Sequence, residues 1–416
     1  HLFGQHEFIL RLLNILLVSF GFYYLFKLLM IVYSNLVYAL GFTFLFFSST
    51  ILIYYTNNFL PDAGALGLTL MGWYFYYIYF VERDKTRSFV ISVSFFTLAS
   101  LIKVTYGLNL AAALLSLLII EIIVNKAKKF KKLVPYILAF LVSITIISGW
   151  YIYVIHYNEA NSVDSFLTTI SPIWDLKTSH IFNVWDYVSN YWYTKYYYES
   201  TLHAFGLIII CGFFFIKYGN RTILLFSATT TLGGIIYAIL FFSQFSAHDY
   251  YFIALIPAII FLVIGSFSSI YFRFPKVMNN IFVKIALFIL VILSLNYAKE
   301  KITDRYNDVN DSLAKIGMQL NNSQDFIKSI GIESDAKVIV IHDLTPNGSL
   351  YFMNRRGWTF KDTSSIALEK LSNNIIAEAN YIVITDSLYT GCMRVNELTG
   401  DKIGSYNGAV FYTIKK

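Results

Sequence analysis

Residues 250–272 read YYFIALIPAIIFLVIGSFSSIYF, a stretch that contains no Asp, Glu, Lys, Arg or His. An α-helix needs about 20 predominantly apolar residues to cross a bilayer. A surface helix of a water-soluble protein would instead carry polar and charged residues along one face, with apolar residues recurring every three to four positions. This stretch therefore predicts a membrane-spanning helix.

Comparable stretches recur through the first 300 residues. The chain as a whole is 57% hydrophobic and only 14% charged, with a mean hydropathy of +0.58. Soluble domains average about 45–50% apolar and about 25% charged residues. The sequence predicts a polytopic α-helical membrane protein with about ten transmembrane helices. The predicted spans are 8–33, 36–56, 64–81, 88–102, 107–124, 134–155, 202–217, 222–243, 250–272 and 281–297.

The composition changes after this region, so we predict two domains, a transmembrane domain over 1–300 and a soluble α/β domain over 301–416. Residues 307–330 have the apolar spacing of an amphipathic helix, and 365–376 also favour a helix. Short β-branched and aromatic stretches predict strands. These stretches are 338–341, 381–384 and 410–414.

Basic residues between the predicted spans set the orientation. Their four clusters, at 83–87, 126–132, 217–221 and 273–276, are each separated by an even number of spans. They can therefore all face the cytoplasm, which accounts for the net charge of +7 without a nucleic-acid partner. The C-terminal domain is then extracytoplasmic, and we expect a bacterial inner membrane. The outer loop 156–200 is rich in Trp and Tyr, which fits an aromatic belt at headgroup depth or a surface for a lipid-linked sugar.

Asp62 follows Pro61 at the outer start of the third predicted span. Two interpretations stay open. It can cap the free backbone N–H groups of the helix. It can also face an outer cavity as a carboxylate that binds a metal, a sugar or an acceptor.

Lys103 is the only charged residue between Ser88 and Glu121. It can be a lysine that extends from a helix end toward the headgroups. However, it lies on the outer side, against the positive-inside trend, and a cation there can hold a lipid phosphate. We favour the phosphate-binding role.

Two further polar positions lie at the outer ends of predicted spans. His248 and Asp249 precede Tyr250 at the start of the ninth span, where the pair suits a structural role or a divalent metal or phosphate. Arg11 begins the first span, where it can extend outward or pair with an acidic residue. A divalent metal held by Asp62 and His248 is the one cofactor that we consider. The sequence has no phosphate-binding P-loop, no dinucleotide Gly fingerprint and no His-Glu-x-x-His motif.

The order of these signals resembles a known family. Residues 2–12, LFGQHEFILRL, resemble the end of the first external loop of GT-C glycosyltransferases of the protein O-mannosyltransferase and aminoarabinose transferase type. Leu60-Pro61-Asp62 is similar to the family's second acidic site, and 101–103 to its lysine segment. The stretch from His248 through Pro257 resembles its Tyr-Tyr…Pro segment late in the membrane domain.

The resemblance implies transfer of a sugar, with inversion, from a polyprenyl-phosphate carrier to an extracytoplasmic glycan, lipid or protein. By resemblance Asp62 would bind acceptor or metal, and Lys103 would hold the carrier phosphate. His248, Tyr250 and Arg11 would contact substrate. The family's principal acid would precede His1, so we expect the sequence to be N-terminally truncated and to lack its general base.

Two other functions stay open. A lipid-linked glycan flippase or transporter would favour helices broken near the midplane and repeats in the two halves of the chain. An outer-leaflet glycan polymerase or ligase would be expected to use Arg and His in external loops, whereas loop 156–200 has His156 and His180 but no Arg. A purely structural membrane protein would not explain Asp62 and Lys103 on the same outer face.

Overall fold

The computed structural model describes residues 7–58, 60–81, 86–124, 130–161, 170–308, 311–345, 347–361, 373–390 and 393–415. The chain divides into two compact units, His1–Ile302 and Thr303–Lys416. We predicted a transmembrane domain over 1–300 and an extracytoplasmic domain over 301–416. This assignment stays a prediction.

The first unit is helical because its apolar stretches satisfy their backbone hydrogen bonds internally, as a bilayer requires. Its α-helices are α1 (Glu7–Tyr33), α2 (Leu36–Phe47), α3 (Thr50–Thr56), α4 (Asp62–Val81), α5 (Thr86–Ile102), α6 (Gly107–Ile119), α7 (Phe130–Asn161), α8 (Thr178–Tyr187), α9 (Tyr193–Tyr196), α10 (Glu199–Phe214), α11 (Arg221–Leu240), α12 (Gln244–Ala247), α13 (Ile256–Arg273), α14 (Pro275–Met278) and α15 (Ile281–Tyr306).

Each of the ten predicted spans falls on helical structure. Within the described residues, six helices are long and apolar enough to cross a membrane, or eight if two bent pairs count as one span each. The two other predicted spans correspond to α4 and to α5, which is a shorter apolar helix. The chain is thus an integral membrane protein.

The predicted continuous span 36–56 is wrong in one respect, because it bends by 75° between α2 and α3. Ser48 and Ser49 lie at the bend. The Ser48 hydroxyl donates to the Leu45 carbonyl (2.7 Å), and the Ser49 hydroxyl accepts from the Leu52 N–H (3.5 Å). Serine side chains that bond to nearby backbone compete with helical hydrogen bonds, which explains the break.

The predicted loop 156–200 also needs correction. In its described part, α7 continues to Asn161 and the chain is helical again over 178–196, before a 102° bend into α10. The predicted span 202–217 accordingly begins earlier, at Glu199, and ends at Phe214. Aromatic residues at helical spacing bring successive rings together, as Tyr187 and Tyr191 do at 4.7 Å between ring centroids.

Glycines let α1 and α4 approach closely. A Cβ atom added to Gly67 would lie 2.2 Å from the Leu17 carbonyl oxygen, and one added to Gly21 would lie 2.6 Å from the Gly67 Cα atom. Small residues at helix interfaces are how membrane helices bring their backbones together. This contact fixes the position of α4, whose first residue is Asp62.

The second unit contains a five-stranded sheet. Its strands are β1 (Lys337–Ile341), β2 (Arg356–Phe360), β3 (Tyr381–Ile384), β4 (Thr399–Tyr406) and β5 (Ala409–Ile414), in the order β2-β1-β3-β5-β4. β1 is parallel to β2 and β3, whereas β5 is antiparallel to β3 and β4. Its described helices are Ser312–Leu320, Gln324–Ser329, Gly348–Met353, Asn373–Glu378 and Met393–Leu398.

The predicted strands 338–341, 381–384 and 410–414 are confirmed, while β2 and β4 were not predicted. The single helix predicted over 307–330 is wrong, because it ends at Leu320 and a second helix begins at Gln324. Asn322 between them has a left-handed backbone with φ of 60°. Of the helix predicted over 365–376, residues 365–372 lie outside the described residues. The remaining part, 373–376, belongs to the helix Asn373–Glu378.

Candidate functional site

Asp62 and Lys103 form a buried ion pair. Asp62 is the first residue of α4 and Lys103 follows the last residue of α5. The Lys103 Nζ atom donates to Asp62 Oδ1 at 2.6 Å, and the two side chains are 18% and 1% exposed, respectively. The positive end of the α4 dipole also favours the carboxylate. Two residues that the sequence offered as separate candidates are therefore in direct contact.

Only one of the two carboxylate oxygens of Asp62, Oδ1, accepts a hydrogen bond from Lys103. Oδ2 is buried and has no hydrogen-bond partner among the described residues. A buried polar atom without a partner costs free energy, and such atoms in a folded protein call for an explanation. Tyr106 fixes the backbone at this point, since its hydroxyl donates to the Asp62 carbonyl at 2.9 Å. The free oxygen is an acceptor that a ligand donor can satisfy.

Two tyrosine rings surround the Lys103 ammonium. Its Nζ atom lies 4.9 Å from the centroid of Tyr250 and 4.7 Å from that of Tyr251, within the range of cation–π attraction. Both tyrosines belong to a short 3₁₀ helix, Asp249–Leu255, that precedes α13. The Tyr237 hydroxyl donates to the Tyr251 carbonyl (3.1 Å) and fixes this turn. The lysine segment and the Tyr-Tyr segment thus converge on one cation.

His248 borders this cluster. Its ring centroid lies 5.3 Å from that of Tyr250 and 5.9 Å from that of Tyr251. Part of its ring is exposed to solvent, yet partial burial lowers the pKa of His248 below 6.5. Asp249 raises this pKa and Lys103 lowers it further, with burial as the largest cause. Burial therefore favours the neutral form of the His248 imidazole.

The comparisons with known proteins bear on the fold. The profile of the family described as "Dolichyl-phosphate-mannose-protein mannosyltransferase" matches residues 1–153. The structure of ArnT from Cupriavidus metallidurans bound to undecaprenyl phosphate aligns with a TM-score of 0.59 and 11% identity, over 99% of this chain and 85% of that one. The apo structure of ArnT aligns with a TM-score of 0.54 and 9% identity, over 97% and 83%. No curated protein sequence matches significantly.

This is the GT-C glycosyltransferase fold. The similarity extends over nearly the whole chain, including the small sheet domain after the membrane helices. The predicted GT-C-like fold is confirmed. In this fold the Asp62–Lys103 pair lies at the ends of two consecutive helices, α4 and α5, and the roles that the resemblance implies for both residues stay predictions.

Asp249 is a buried residue beside this cluster whose contact the sequence did not reveal. Its side chain is 3% exposed, and Oδ1 accepts a hydrogen bond from the Tyr55 hydroxyl at 2.7 Å. The sequence suggested that His248 and Asp249 could act as a pair. The structure instead buries Asp249 against α3 and leaves His248 at the surface of the cluster. The sequence signal for this contact was an acidic residue at the start of an apolar helix. Its hydrogen-bond partner, Tyr55, could not be predicted because it is distant in sequence.

Arg11 contacts the segment that leads to Asp62. Its Nη1 atom donates to the Asn57 carbonyl at 3.3 Å. Asn14, one helical turn later, donates to the carbonyls of Asn58 (2.8 Å) and Leu60 (3.2 Å). These bonds hold the loop before α4 against α1. A substrate-binding role for Arg11 stays a prediction.

The predicted metal site is not supported by the ligands present. In the part of the chain that the structure describes, no group of three or more His, Cys, Asp or Glu side chains is placed to hold a metal ion. Catalytic zinc sites supply about three protein ligands, and one oxygen of Asp62 is already bonded to an ammonium. The metal requirement stays a prediction, and we assign no reaction step to a metal.

Proposed function

We propose that the protein transfers a sugar, with inversion, from a polyprenyl-phosphate carrier to an acceptor on the extracytoplasmic side of a bacterial inner membrane. The observation that carries this proposal is the Asp62–Lys103 pair, which combines a partly exposed cation with a free carboxylate oxygen. The undecaprenyl phosphate bound to the structurally similar ArnT supports a polyprenyl carrier. The positive-inside pattern of the loops supports the orientation.

In this proposal Lys103 binds the carrier phosphate. Its ammonium has three N–H donors, one of which is used by Asp62. The tyrosine rings attract the cation without neutralising its charge, so it keeps its attraction for an anion. When the bond between the anomeric carbon and the phosphate oxygen breaks, the electron pair leaves with the phosphate. A fixed cation beside that oxygen stabilises the developing charge.

Asp62 binds the acceptor. A hydroxyl or amine that donates to Oδ2 would satisfy the unpartnered oxygen and orient the nucleophile. The nucleophile attacks the anomeric carbon from the face opposite the phosphate and loses its proton to a carboxylate general base. The products are the glycosylated acceptor and the free lipid phosphate.

Asp62→Asn tests this assignment. The amide keeps the shape of the side chain but removes its charge, and a hydrogen bond to a charged group contributes about 1.5–3 kcal/mol. We expect transfer of radiolabelled sugar from a polyprenyl-phosphate donor, in membranes that contain the full-length protein, to fall about 10–100-fold. Asp175→Asn, at an exposed position of the same unit, should leave transfer unchanged.

Three outcomes would contradict parts of the proposal. Transfer that is unaffected by Asp62→Asn would leave the enzyme class in place and remove Asp62 from the site. Labelled lipid that crosses the bilayer without loss of its sugar would favour the flippase. Products that grow by repeated addition of lipid-linked glycans would favour the polymerase.

The lowered pKa of His248 predicts a pH effect on carrier binding. A bound phosphate favours the protonated imidazole, so the pKa of His248 should rise in the complex. Affinity for a polyprenyl phosphate should then increase as pH falls from 7.5 to 5.5. His248→Gln should remove this increase, since protonation of the lipid phosphate lowers its negative charge and weakens binding in both proteins. Equal pH profiles for both proteins, measured by lipid titration in detergent, would show that His248 does not face the phosphate.

A further inference from the structure

A groove lies between α10 and α11 in the first unit. Both helices pack directly on α13. A Cβ atom added to Gly212 of α10 would lie 2.5 Å from the Ser266 Cβ atom, so α10 and α13 approach closely at this point. On the other side, a Cβ atom added to Gly265 would lie 3.2 Å from the Ser227 Cβ atom of α11. α13 therefore forms the floor of the groove, and α10 and α11 form its walls.

The groove is large enough for a lipid chain, and its lining is mostly apolar. Its volume is about 350 Å³, within the range of small-molecule sites, about 300–1,000 Å³. The polar side chains in its lining are the hydroxyls of Ser227, Thr231 and Ser266. On its rim Phe213 is 71% exposed and Ile216 is 51% exposed, as expected for a surface that faces lipid. An acyl chain is the occupant that matches such a lining in a bilayer.

The groove has about the length of one leaflet. Along α11 it runs from Leu224 to Ile235, which at 1.5 Å per residue is about 17 Å. Half of the hydrocarbon core of a bilayer is about 15 Å thick. One end of the groove reaches Ile216, in the turn that joins α10 and α11. The tyrosines around the Lys103 ammonium lie at the opposite end of α13 from this turn, so a lipid enters the groove from the leaflet opposite the candidate site.

Basic side chains gather at the turn where the groove ends. The Lys217 Nζ atom and the Arg273 Cζ atom each lie 5.1 Å from the centroid of the Tyr218 ring. These cation–π contacts hold the two side chains beside one ring without neutralising their charges. Arg221, the first residue of α11, adds a third cation one turn before Leu224 of the lining. Like charges that are held together repel each other, and an anion between them would remove this repulsion.

Protein acids do not balance these cations. The sequence has no Asp or Glu between Glu199 and Asp249, nor between Asp249 and Glu300. Those three acids lie at the opposite ends of α10, α13 and α15 from the turn. Within the residues that the structure describes, the three basic side chains at the turn form no ion pair. Unbalanced cations at the end of an apolar groove between membrane helices favour a lipid with an anionic headgroup.

We propose that an anionic phospholipid binds here, with one acyl chain in the groove and its phosphate beside Lys217 and Arg273. The positive-inside pattern predicts that this lipid belongs to the cytoplasmic leaflet. Because it contacts α10, α11 and α13 together, it stabilises their packing in the folded protein. The site is separate from the Asp62–Lys103 pair, and the inference does not depend on the proposed enzymatic function.

The test is native mass spectrometry of the full chain in detergent, titrated with dioleoylphosphatidylglycerol or with dioleoylphosphatidylcholine. These lipids have the same acyl chains and differ in net charge. We expect the anionic lipid to bind about tenfold more tightly. Lys217→Gln and Arg273→Gln should each weaken its binding about fivefold, which corresponds to about 1 kcal/mol per charge. The matched control Arg87→Gln changes an exposed residue at the start of α5 and should have no effect.

Ala228→Trp tests the groove itself. Ala228 lines the groove and is exposed on α11, so an indole at this position occupies the space of the acyl chain without entering the packed core. Binding of phosphatidylglycerol should fall at least tenfold. Ala111→Trp, at an exposed position of α6, is the matched control and should leave binding unchanged. Thermal unfolding of each variant without added lipid shows that it is folded.

Three results would overturn this proposal. Equal affinity for the two phospholipids would show that the basic side chains do not select the headgroup. Binding of phosphatidylglycerol that persists in folded Ala228→Trp would place the lipid outside the groove. Displacement of phosphatidylglycerol by an equimolar amount of undecaprenyl phosphate would assign the groove to the carrier. Asp62→Asn should leave phospholipid binding unchanged, so failure of this proposal and failure of the proposed function are distinguishable.

Discussion

Lys103→Met is expected to lower the free energy of unfolding by about 3–5 kcal/mol, the usual effect of removing one partner of a buried ion pair. The Asp62 carboxylate, 1% exposed, would then be buried without its cation. Sugar transfer should fall about 10²–10³-fold as well, because the leaving phosphate loses its electrostatic stabilisation. Thermal unfolding in detergent and the radiolabelled transfer assay measure the two effects separately.

The double variant Asp62→Asn, Lys103→Met separates stability from function. It removes both charges while it keeps side chains of similar size, so much of the lost stability should return. Transfer should stay low. Lys195→Met is the control, because Lys195 lies over the Tyr191 and Trp192 rings, and loss of that contact should cost only about 0.5–1 kcal/mol. A double variant less stable than Lys103→Met alone would show that the charges are not coupled in the folded protein.

Gly67→Ala is expected to give the second largest effect. The added Cβ atom would lie 2.2 Å from the Leu17 carbonyl oxygen and 2.5 Å from its carbon, and backbone atoms of a helix cannot move aside singly. α1 and α4 would have to separate, and overpacking of this kind costs about 1–3 kcal/mol or more. Because α4 carries Asp62, transfer should decrease together with thermal stability.

The matched control for this variant is Gly149→Ala in α7. No atom lies within 4 Å of the position that its Cβ would occupy. Alanine favours a helix over glycine by about 1 kcal/mol, so this variant should be as stable as the wild type or slightly more stable. If both variants behaved alike, the close approach of α1 and α4 would not limit stability.

The sequence predicted the helical membrane domain because each span is a predominantly apolar stretch, of which 250–272 is free of charged residues. It did not predict the bend at Ser48 and Ser49, since serine is common inside membrane helices and breaks them only in some contexts. In the second unit the predicted strands were the most apolar ones. β2 contains Arg356 and Gly357, and β4 contains Asp401 and Lys402, so these two edge strands lack the usual pattern.

The sequence predicted residues of the candidate site, but it did not predict which of them are in contact. Asp62 and Lys103 stood out because an ionisable residue beside an apolar stretch is costly. Their pairing could not be derived, since it depends on how α4 and α5 pack. The sequence also placed His248 and Asp249 together because they are neighbours in the chain. Adjacent residues of a turn point in different directions, and the burial of Asp249 depends on Tyr55 in a separate helix.

Asp62 and Lys103 lie at the open ends of two consecutive helices, α4 and α5, that pack directly on each other. During synthesis these two helices are complete long before the chain reaches Tyr250 and Tyr251. Contacts between segments close in sequence form first because they need the smallest loop closure. The carboxylate and the ammonium can therefore neutralise each other while the hairpin enters the bilayer, and the aromatic rings join a pair that already exists.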